Sequence, residues 1–573
     1  MIERLRQLPR GLIAVLALSL TLNSIGAGWG LPNDRSWSND DPTPKVPLRI
    51  GQIWCCGDNK YPYLQPLITR AVYAPSVAWW RHNGDIVEPC DDLGDADCFR
   101  RPYDQLGWLM RLSRLLAAAM GAGVVAAVYA MTRRLYADRR AAFFAALAAA
   151  VVHELVLFSH WGNVDVPYLF WFAWSIVAFI DVVDRGRVRD YAAFGLLSSA
   201  ALSTKESIVG AYVLVGVAIL VVHARRALAA RPPGQAATYA LERSLTADPR
   251  LTVLLLCLFG LYGIVNNVVF NWAGFQAHVG HWIGGTGIDP WNDRFTGHAA
   301  LLATFAARLR DAAGWPWLAA AGVGAAWATW RDRRTAWVLL PAVSYYLFTI
   351  APIRYTYTRF TLPVAILLAV PVGWLAARVF ADRRVWVRDA VDGGGGGSGR
   401  DIVDTDPPGR RSGIAANVAR SVLALTFLHA LLYSIHADVM LLTDGRFAAE
   451  RWLVAEVPRE ARVVVIGSSS YLPRLDWLGY EPERLDDDDA SLAAVQAEDA
   501  DVVVTTRRAR APGIGADPTL VDQLVAAGYA VRYDAASPAP LAPLLGTAYI
   551  ESRVNPRTVI LVRGDVAVPA SSP

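Results

Sequence analysis

Residues 251–270 read LTVLLLCLFGLYGIVNNVVF, a stretch without a charged side chain. A helix rises 1.5 Å per residue and closes its backbone hydrogen bonds internally, so about 20 such residues cross the ~30 Å hydrocarbon layer of a bilayer. Two more runs share this property, 12–29 (LIAVLALSLTLNSIGAGW) and 360–377 (FTLPVAILLAVPVGWLAA). The composition agrees: of 573 residues 54% are hydrophobic and 18% charged, and the mean hydropathy is +0.28. A soluble domain carries about 25% charged residues. The chain therefore reads as a polytopic α-helical membrane protein. Low charge together with 10% aromatic residues excludes a disordered chain, and a formal charge of +4 is too small to argue for nucleic acid.

Extending outward from these runs gives about eleven spans, at 11–30, 106–131, 141–158, 165–182, 191–204, 207–224, 251–270, 314–330, 336–352, 360–378 and 413–435. Arginines set their direction. With the N-terminus inside, alternate loops carry Arg4/Arg6/Arg10, Arg133/Arg134/Arg139/Arg140, Arg185/Arg187/Arg189, Arg225/Arg226/Arg231, Arg331/Arg333/Arg334 and Arg383/Arg384/Arg388. Such an excess marks the cytoplasmic side, which puts the C-terminus outside. A cleaved signal peptide, with Ser24 and Gly26 near the cut, is the alternative to a retained first anchor. Of the 55 cations only Lys45, Lys60 and Lys205 are lysines. Codon bias in a GC-rich genome accounts for most of that split, yet all three lysines fall on the predicted outer side.

The spans define a membrane module, 1–436, and a small C-terminal α/β soluble domain, 437–573. Within the module lie a long first outer loop at 31–105, a second outer loop at 271–313 and a Gly-rich flexible inner linker at 385–412 containing Gly393–Gly397. The first loop holds Cys55, Cys56, Cys90 and Cys98. Four cysteines allow three pairings; an adjacent Cys55–Cys56 bridge is the least plausible geometrically, and Cys90–Cys98, closing a small acidic loop, is the favoured bridge. The second loop contains His278, His281, Asp289, Asp293 and an amphipathic stretch at 299–310. In the tail, RVVVIG (462–467), DVVVT (501–505) and TVILV (558–562) read as buried strands separated by helices near 490–499 and 518–527.

Charged groups at a membrane boundary are expensive and hence informative. Four sets fall on the predicted outer face. Asp40-Asp41-Pro42 follows the first span, and two such carboxylates act as a base, hold a divalent cation, or simply form a solvated turn. Lys60 precedes Tyr61-Pro62 and offers either a point charge for phosphate or a snorkelling cation. Ser159-His160-Trp161-Gly162-Asn163-Val164-Asp165 forms a tight outer hairpin, in which Asp165 is a second acid or a first-turn carboxylate favoured by the helix dipole. Lys205, in Ser203-Thr204-Lys205-Glu206, and Arg354-Tyr355-Thr356-Tyr357-Thr358-Arg359 add cations and tyrosines suited to a lipid-linked phosphate, or to an aromatic belt. His160, His278 and His281 are further candidates for substrate or metal contact. Other motifs lead nowhere: His153-Glu154 lacks the second histidine of H-E-x-x-H, and C-x-x-C and the P-loop are missing. Asp95-Ala96-Asp97 and Asp486–Asp489 read as surface acids, and the Gly467-Ser-Ser-Ser turn lacks a dinucleotide fingerprint.

The ordered series Gly30-Leu31-Pro32 with an acidic pair, Lys60-Tyr61-Pro62, Arg111-Leu-Ser-Arg114, SHWGNVDVPY (159–168), Thr204-Lys205 and Arg354-Tyr355 resembles the GT-C membrane glycosyltransferases over about residues 10–380. The protein O-mannosyltransferase and lipid A aminoarabinose-transferase branch (glycosyltransferase family 39-like) is the most similar. The resemblance implies a donor sugar on a polyprenyl phosphate, an acceptor that is a protein, lipid or glycan, and a multi-pass protein of the plasma (inner) membrane with its site outside. It places the catalytic acids at Asp40 or Asp41 and at Asp165. The donor or lipid-phosphate contacts fall at Lys60, Lys205, Tyr355 and Arg354 or Arg359. Relatives carry Asp-Glu where this chain has Asp40-Asp41, and Pro-Pro where it has Pro62-Tyr63. No cofactor is fixed by the residues: some relatives use a divalent cation (magnesium or manganese), which Asp40, Asp41 and Asp165 would hold here, and others do not. One displacement with an Asp base predicts inversion at the anomeric carbon. A transporter or flippase of lipid-linked saccharides and a non-catalytic GT-C relative are the rival readings. The transporter would require more mid-span charge and broken helices.

Overall fold

The structure is a computed structural model that describes residues 9–38, 41–56, 61–88, 90, 92–283, 295–381, 411–486, 490–506, 518–536, 539–545, 554 and 556–564. All eleven expected apolar segments are helical. They comprise Arg10–Ser24, Pro102–Tyr136, Arg139–Ala150 with His153–Ser159, Asp165–Asp184, Val188–Leu202, Val209–Ala229, Pro249–Val265, Trp315–Arg331, Ala336–Tyr345, Leu362–Val379 and Arg411–Leu442. Seven helices among the described residues are long and apolar enough to cross a membrane, or eight if the bent pair is one span. The eleven segments are thus not eleven full-length spans. Arg10–Ser24 and Val188–Leu202 have 15 residues each and Trp315–Arg331 has 17. At 1.5 Å per residue the shorter two reach only about 22 Å.

The expected span at 141–158 is broken. Arg139–Ala150 and His153–Ser159 meet at 60°. The backbone groups released at this break find partners from other helices, as the interior of a bilayer demands. Trp317 Nε1 donates to the Ala148 carbonyl (3.2 Å) and Ser434 Oγ to that of Val151 (3.2 Å). The alanine-rich first half permits very close packing: a Cβ on Gly373 would collide with the backbone of Ala145, so helix Leu362–Val379 lies directly on it.

The first long loop, 31–105, contains folded elements. Helices Lys45–Cys56 and Leu64–His82 pack Leu48, Tyr73, Val77 and Trp80 against Phe99 and Leu106. Cys90 and Cys98 are disulfide-bonded, with Cα atoms 5.5 Å apart. In the second outer loop, helix His298–Ala313 buries Leu301, Phe305 and Leu309 at the expected amphipathic spacing. Asp289, Asp293 and the linker glycines 393–397 lie outside the described residues.

After helix Gly445–Glu456 comes a five-stranded sheet: β1 (Val463–Ile466), β2 (Glu483–Leu485), β3 (Val502–Thr506), β4 (Tyr529–Ala535) and β5 (Thr558–Arg563), in the order β2-β1-β3-β5-β4. The β1–β2 and β1–β3 pairs are parallel, while β5 runs antiparallel to β3 and β4. β1, β3 and β5 are the three buried runs visible in the sequence. β2 is mostly exposed and β4 mostly half-buried, and neither has a long apolar run to announce it.

Candidate active site

The hairpin between His153–Ser159 and Asp165–Asp184 organises two buried carboxylates. The first is Asp41. Its Oδ2 accepts from Ser36 Oγ (2.8 Å) and from Arg114 Nε and Nη2 (2.9 and 2.8 Å), and its Oδ1 accepts from the Gly162 amide (2.7 Å). Both side chains of the Asp41–Arg114 pair are fully buried. Arg114 Nη1 also donates to the carbonyls of Ala27 and Trp29 (3.0 and 2.7 Å), which ties the end of the first apolar helix to the acid. Gly162 is required here. A Cβ at that position would collide with Ser113 Oγ and press to 3.3 Å on Asp41 Oδ1.

The second carboxylate, Asp165, lies three residues further along the hairpin. Its Oδ1 accepts from Lys205 Nζ at 2.5 Å, its Oδ2 accepts from Asn163 Nδ2 at 3.0 Å, and Arg359 Nε stands 3.9 Å from Oδ2. Lys205 packs over the rings of Tyr168 and Phe360, and Arg359 over Tyr357 and Phe360. Three separate apolar helices, at 165–184, 188–202 and 362–379, thus bring two cations to one carboxylate at adjacent ends. Arg359 retains 17% exposure, so this pocket is not sealed.

Glu206, next to Lys205, accepts from Tyr262 Oη (2.6 Å) and meets His278 Nε2 at 2.8 Å. From Glu206 and Tyr262 an apolar cavity of about 660 Å³ extends between helices 188–202, 209–229 and 249–265 to Leu245 and Leu251.

The remaining sequence candidates distribute as follows. Arg354 caps a short turn in the left-handed region (φ +60°) and its side chain is exposed, so it does not join Arg359 at Asp165. Tyr355 packs edge-on to Tyr357 and at a tilt against Phe360. His160 is buried, with Nδ1 on the Val156 carbonyl (2.8 Å) and Nε2 against both the Ile25 carbonyl and Asp438 (3.3 Å). It supports the hairpin rather than presenting a free nitrogen. Asp40, Lys60 and the side chain of His281 lie outside the described residues. Near Lys60, the Leu64 amide donates to the Ser203 carbonyl (3.0 Å), which brings the chain after Lys60 beside Lys205. Among the described residues no group of three or more His, Cys, Asp or Glu could hold a metal ion. The oxygens of Asp41 and Asp165 instead face cations and amides, so the visible donor set does not fit a divalent ion.

Arg114, Glu206 and Tyr262 were not singled out as site residues from the sequence. Arg114 had a usable signal, a cation well inside an apolar run. Tyr262 had none, since an interfacial tyrosine is common in such helices.

Residues 106–243, which include Arg114, Gly162, Asp165 and Lys205, match the family model described as dolichyl-phosphate-mannose-protein mannosyltransferase. Over those residues the chain is similar to that family, within a helical fold that has several helices long and apolar enough to cross a membrane. Comparison with the curated proteins returns no match. Among solved structures the chain is similar to ArnT from Cupriavidus metallidurans bound to undecaprenyl phosphate, with 13% identity over 98% of this chain and 99% of that one and a TM-score of 0.45. It is also similar to the Archaeoglobus fulgidus oligosaccharyltransferase in complex with Zn and sulfate, with 13% identity over 87% and 68% of the two chains and a TM-score of 0.40. A third similarity is to the S. cerevisiae protein O-mannosyltransferase Pmt1–Pmt2 complex bound to the sugar donor, at 17% identity and a TM-score of 0.31. It covers 47% of this chain and 34% of that one.

Proposed function

We propose that this chain is a membrane glycosyltransferase that moves a hexosyl or pentosyl group from a polyprenyl-phosphate donor to a hydroxyl acceptor on the outer face of the membrane. The acceptor is a protein, lipid or glycan. The observation that carries the reading is the pocket of Asp165, Lys205 and Arg359, in which two cationic donors and aromatic rings surround one carboxylate. Lys205 and Arg359 are donors of the kind that meet phosphate oxygens, and the neighbouring apolar cavity of about 660 Å³ offers a place for part of a prenyl chain.

In the proposed reaction the acceptor oxygen attacks the anomeric carbon from the side opposite the phosphate. The C–O bond to the acceptor forms, the bond to the phosphate oxygen breaks, and the phosphate keeps the electron pair. Lys205 and Arg359 stabilise its growing charge in a site of low dielectric. The acceptor proton passes to a carboxylate of the first outer loop. Asp41 already accepts four hydrogen bonds on its two oxygens, which favours Asp40 as the proton acceptor and Asp41 as the anchor of that loop. The arginine pattern favours a cytoplasmic N-terminus and an extracytoplasmic tail in the plasma membrane, with 437–573 as a separate α/β domain.

The test is transfer of labelled sugar from a polyprenyl-phosphate sugar by the purified full-length chain and by Asp40→Asn and Asp41→Asn. Transfer by the wild type that falls in Asp40→Asn supports the reading. A wild type that never transfers, across a panel of donor sugars and acceptors, removes it.

A further inference from the structure

The end of the last apolar helix and the tail that follows it grip both acid-bearing segments. Asp438, near the end of helix Arg411–Leu442, meets His160 of the hairpin at 3.3 Å. Asp444 Oδ2 accepts from Trp29 Nε1 at 2.9 Å, and the carbonyl of that same Trp29 accepts from Arg114, the partner of Asp41. Arg446 is held by Asp444 (Nη2 to Oδ2, 2.6 Å) and donates to the Ser470 carbonyl (2.7 Å). Its guanidinium lies 4.1 Å from the centre of the Trp37 ring. Arg474 forms a fork with Glu450 (2.8 and 2.6 Å), donates to the Pro32 carbonyl (3.3 Å) and covers the same Trp37 ring at 5.2 Å.

Trp37 is completely buried, and its neighbour Ser36 is the hydroxyl donor to Asp41. Gly30 makes room for it, since a Cβ there would lie 2.8 Å from the indole. We infer that residues 438–474 are a brace that positions the first outer loop for the reaction, with Arg446 and Arg474 as positioning residues acting through Trp37. This rests on the reading of the Asp40–Asp41 loop as part of a transfer site. Merely attaching a domain requires no such arrangement. Buried arginine–carboxylate pairs are a poor source of stability compared with apolar packing; here Asp444–Arg446 and Glu450–Arg474 both lie within the tail and hold the two guanidinium groups against Trp37. Two of them converge here on the single aromatic ring that stands four residues before Asp41.

The experiment uses the full chain in nanodiscs. Arg446→Gln with Arg474→Gln, and separately Trp37→Ala and Trp37→Phe, are compared with wild type by amide exchange and by steady-state kinetics. In the double variant and in Trp37→Ala the amides of 33–41 should exchange about tenfold faster or more while β1 and β3 stay protected. The kcat for transfer should fall by about tenfold or more with the donor KM within about threefold, because the loop rather than the donor pocket has moved. Trp37→Phe, which keeps a ring between the guanidinium groups, should restore both. Unchanged exchange in 33–41 with the sheet intact overturns the brace, as does faster exchange with unchanged kcat. Trp37→Ala lies outside the sheet and carries the test if the double variant loses strand protection. A wild type without transfer activity defeats the proposed function but leaves the exchange result to decide whether the tail holds the loop.

Discussion

Asp41 and Asp165 lie on either side of one short hairpin, yet their surroundings are opposite in kind. Asp41 is sealed: a fully buried arginine, a serine and a backbone amide occupy both oxygens, and the arginine's other contacts reach two backbone carbonyls. Asp165 has two cations within 4 Å, one of them partly exposed, and aromatic rings along the cations' flanks. The first arrangement fixes a loop. The second groups two cations and aromatic rings around one acid. Two acids that look equivalent in the sequence therefore have different surroundings, and in the proposed reaction one anchors a loop while the other stands beside the phosphate-binding cations.

The comparison breaks most readily at the proton acceptor. If Asp40 takes the proton, Asp40→Asn should lower kcat about 10²–10⁴-fold, the usual worth of a general base, while the protein remains folded. Lys205→Met should lower kcat about 10²–10³-fold, the loss typical of one preorganised donor to a developing anion. At the sealed acid the dominant effect should be on stability. Arg114→Met leaves a buried unpaired carboxylate, and thermal unfolding in detergent should show a loss of about 3–5 kcal/mol. Gly162→Ala should act in the same direction through the collision with Ser113, without changing any charge. Arg354→Gln, exposed and away from Asp165, should change the donor KM less than about threefold, since an exposed charge contributes about 0–1 kcal/mol.

The smallest expected effect lies in the first outer loop. The Arg49 guanidinium beside Asp92 holds that carboxyl below its usual range. A depressed folded-state pKa contributes stability that is fully present above the unfolded value of about 4 and is lost as pH falls through the folded one. The protection factors of the amides in 45–56, taken relative to the intrinsic rate at each pH, should thus be unchanged from pH 7 to 5 and fall only below about pH 4.

Much of the membrane part was legible because a bilayer leaves few options: long apolar runs must be helices. The break at 151–152 was not, because partners from distant residues such as Trp317 and Ser434 decide it. In the site, Asp41, Asp165 and Lys205 announced themselves as charges beside apolar runs. Their division of labour depended on Arg114 and on the Gly162 amide, the latter a backbone group with no sequence signature. Arg359 rather than Arg354 meets Asp165, because the left-handed turn at 354 separates two arginines that the motif presents together. The brace of Arg446 and Arg474 on Trp37 joins residues more than 400 positions apart, beyond the reach of any local pattern.

The central claim, that Asp165, Lys205 and Arg359 form a phosphate pocket, is tested most directly by binding. Polyprenyl phosphate and the corresponding unphosphorylated polyprenol would be titrated onto the full-length wild type and onto Lys205→Met in nanodiscs. The phosphate form should bind the wild type more tightly than the alcohol, and Lys205→Met should remove about tenfold or more of that preference, equivalent to about 1.4 kcal/mol. Equal binding of phosphate and alcohol by the wild type, or a preference untouched by the substitution, would contradict the account.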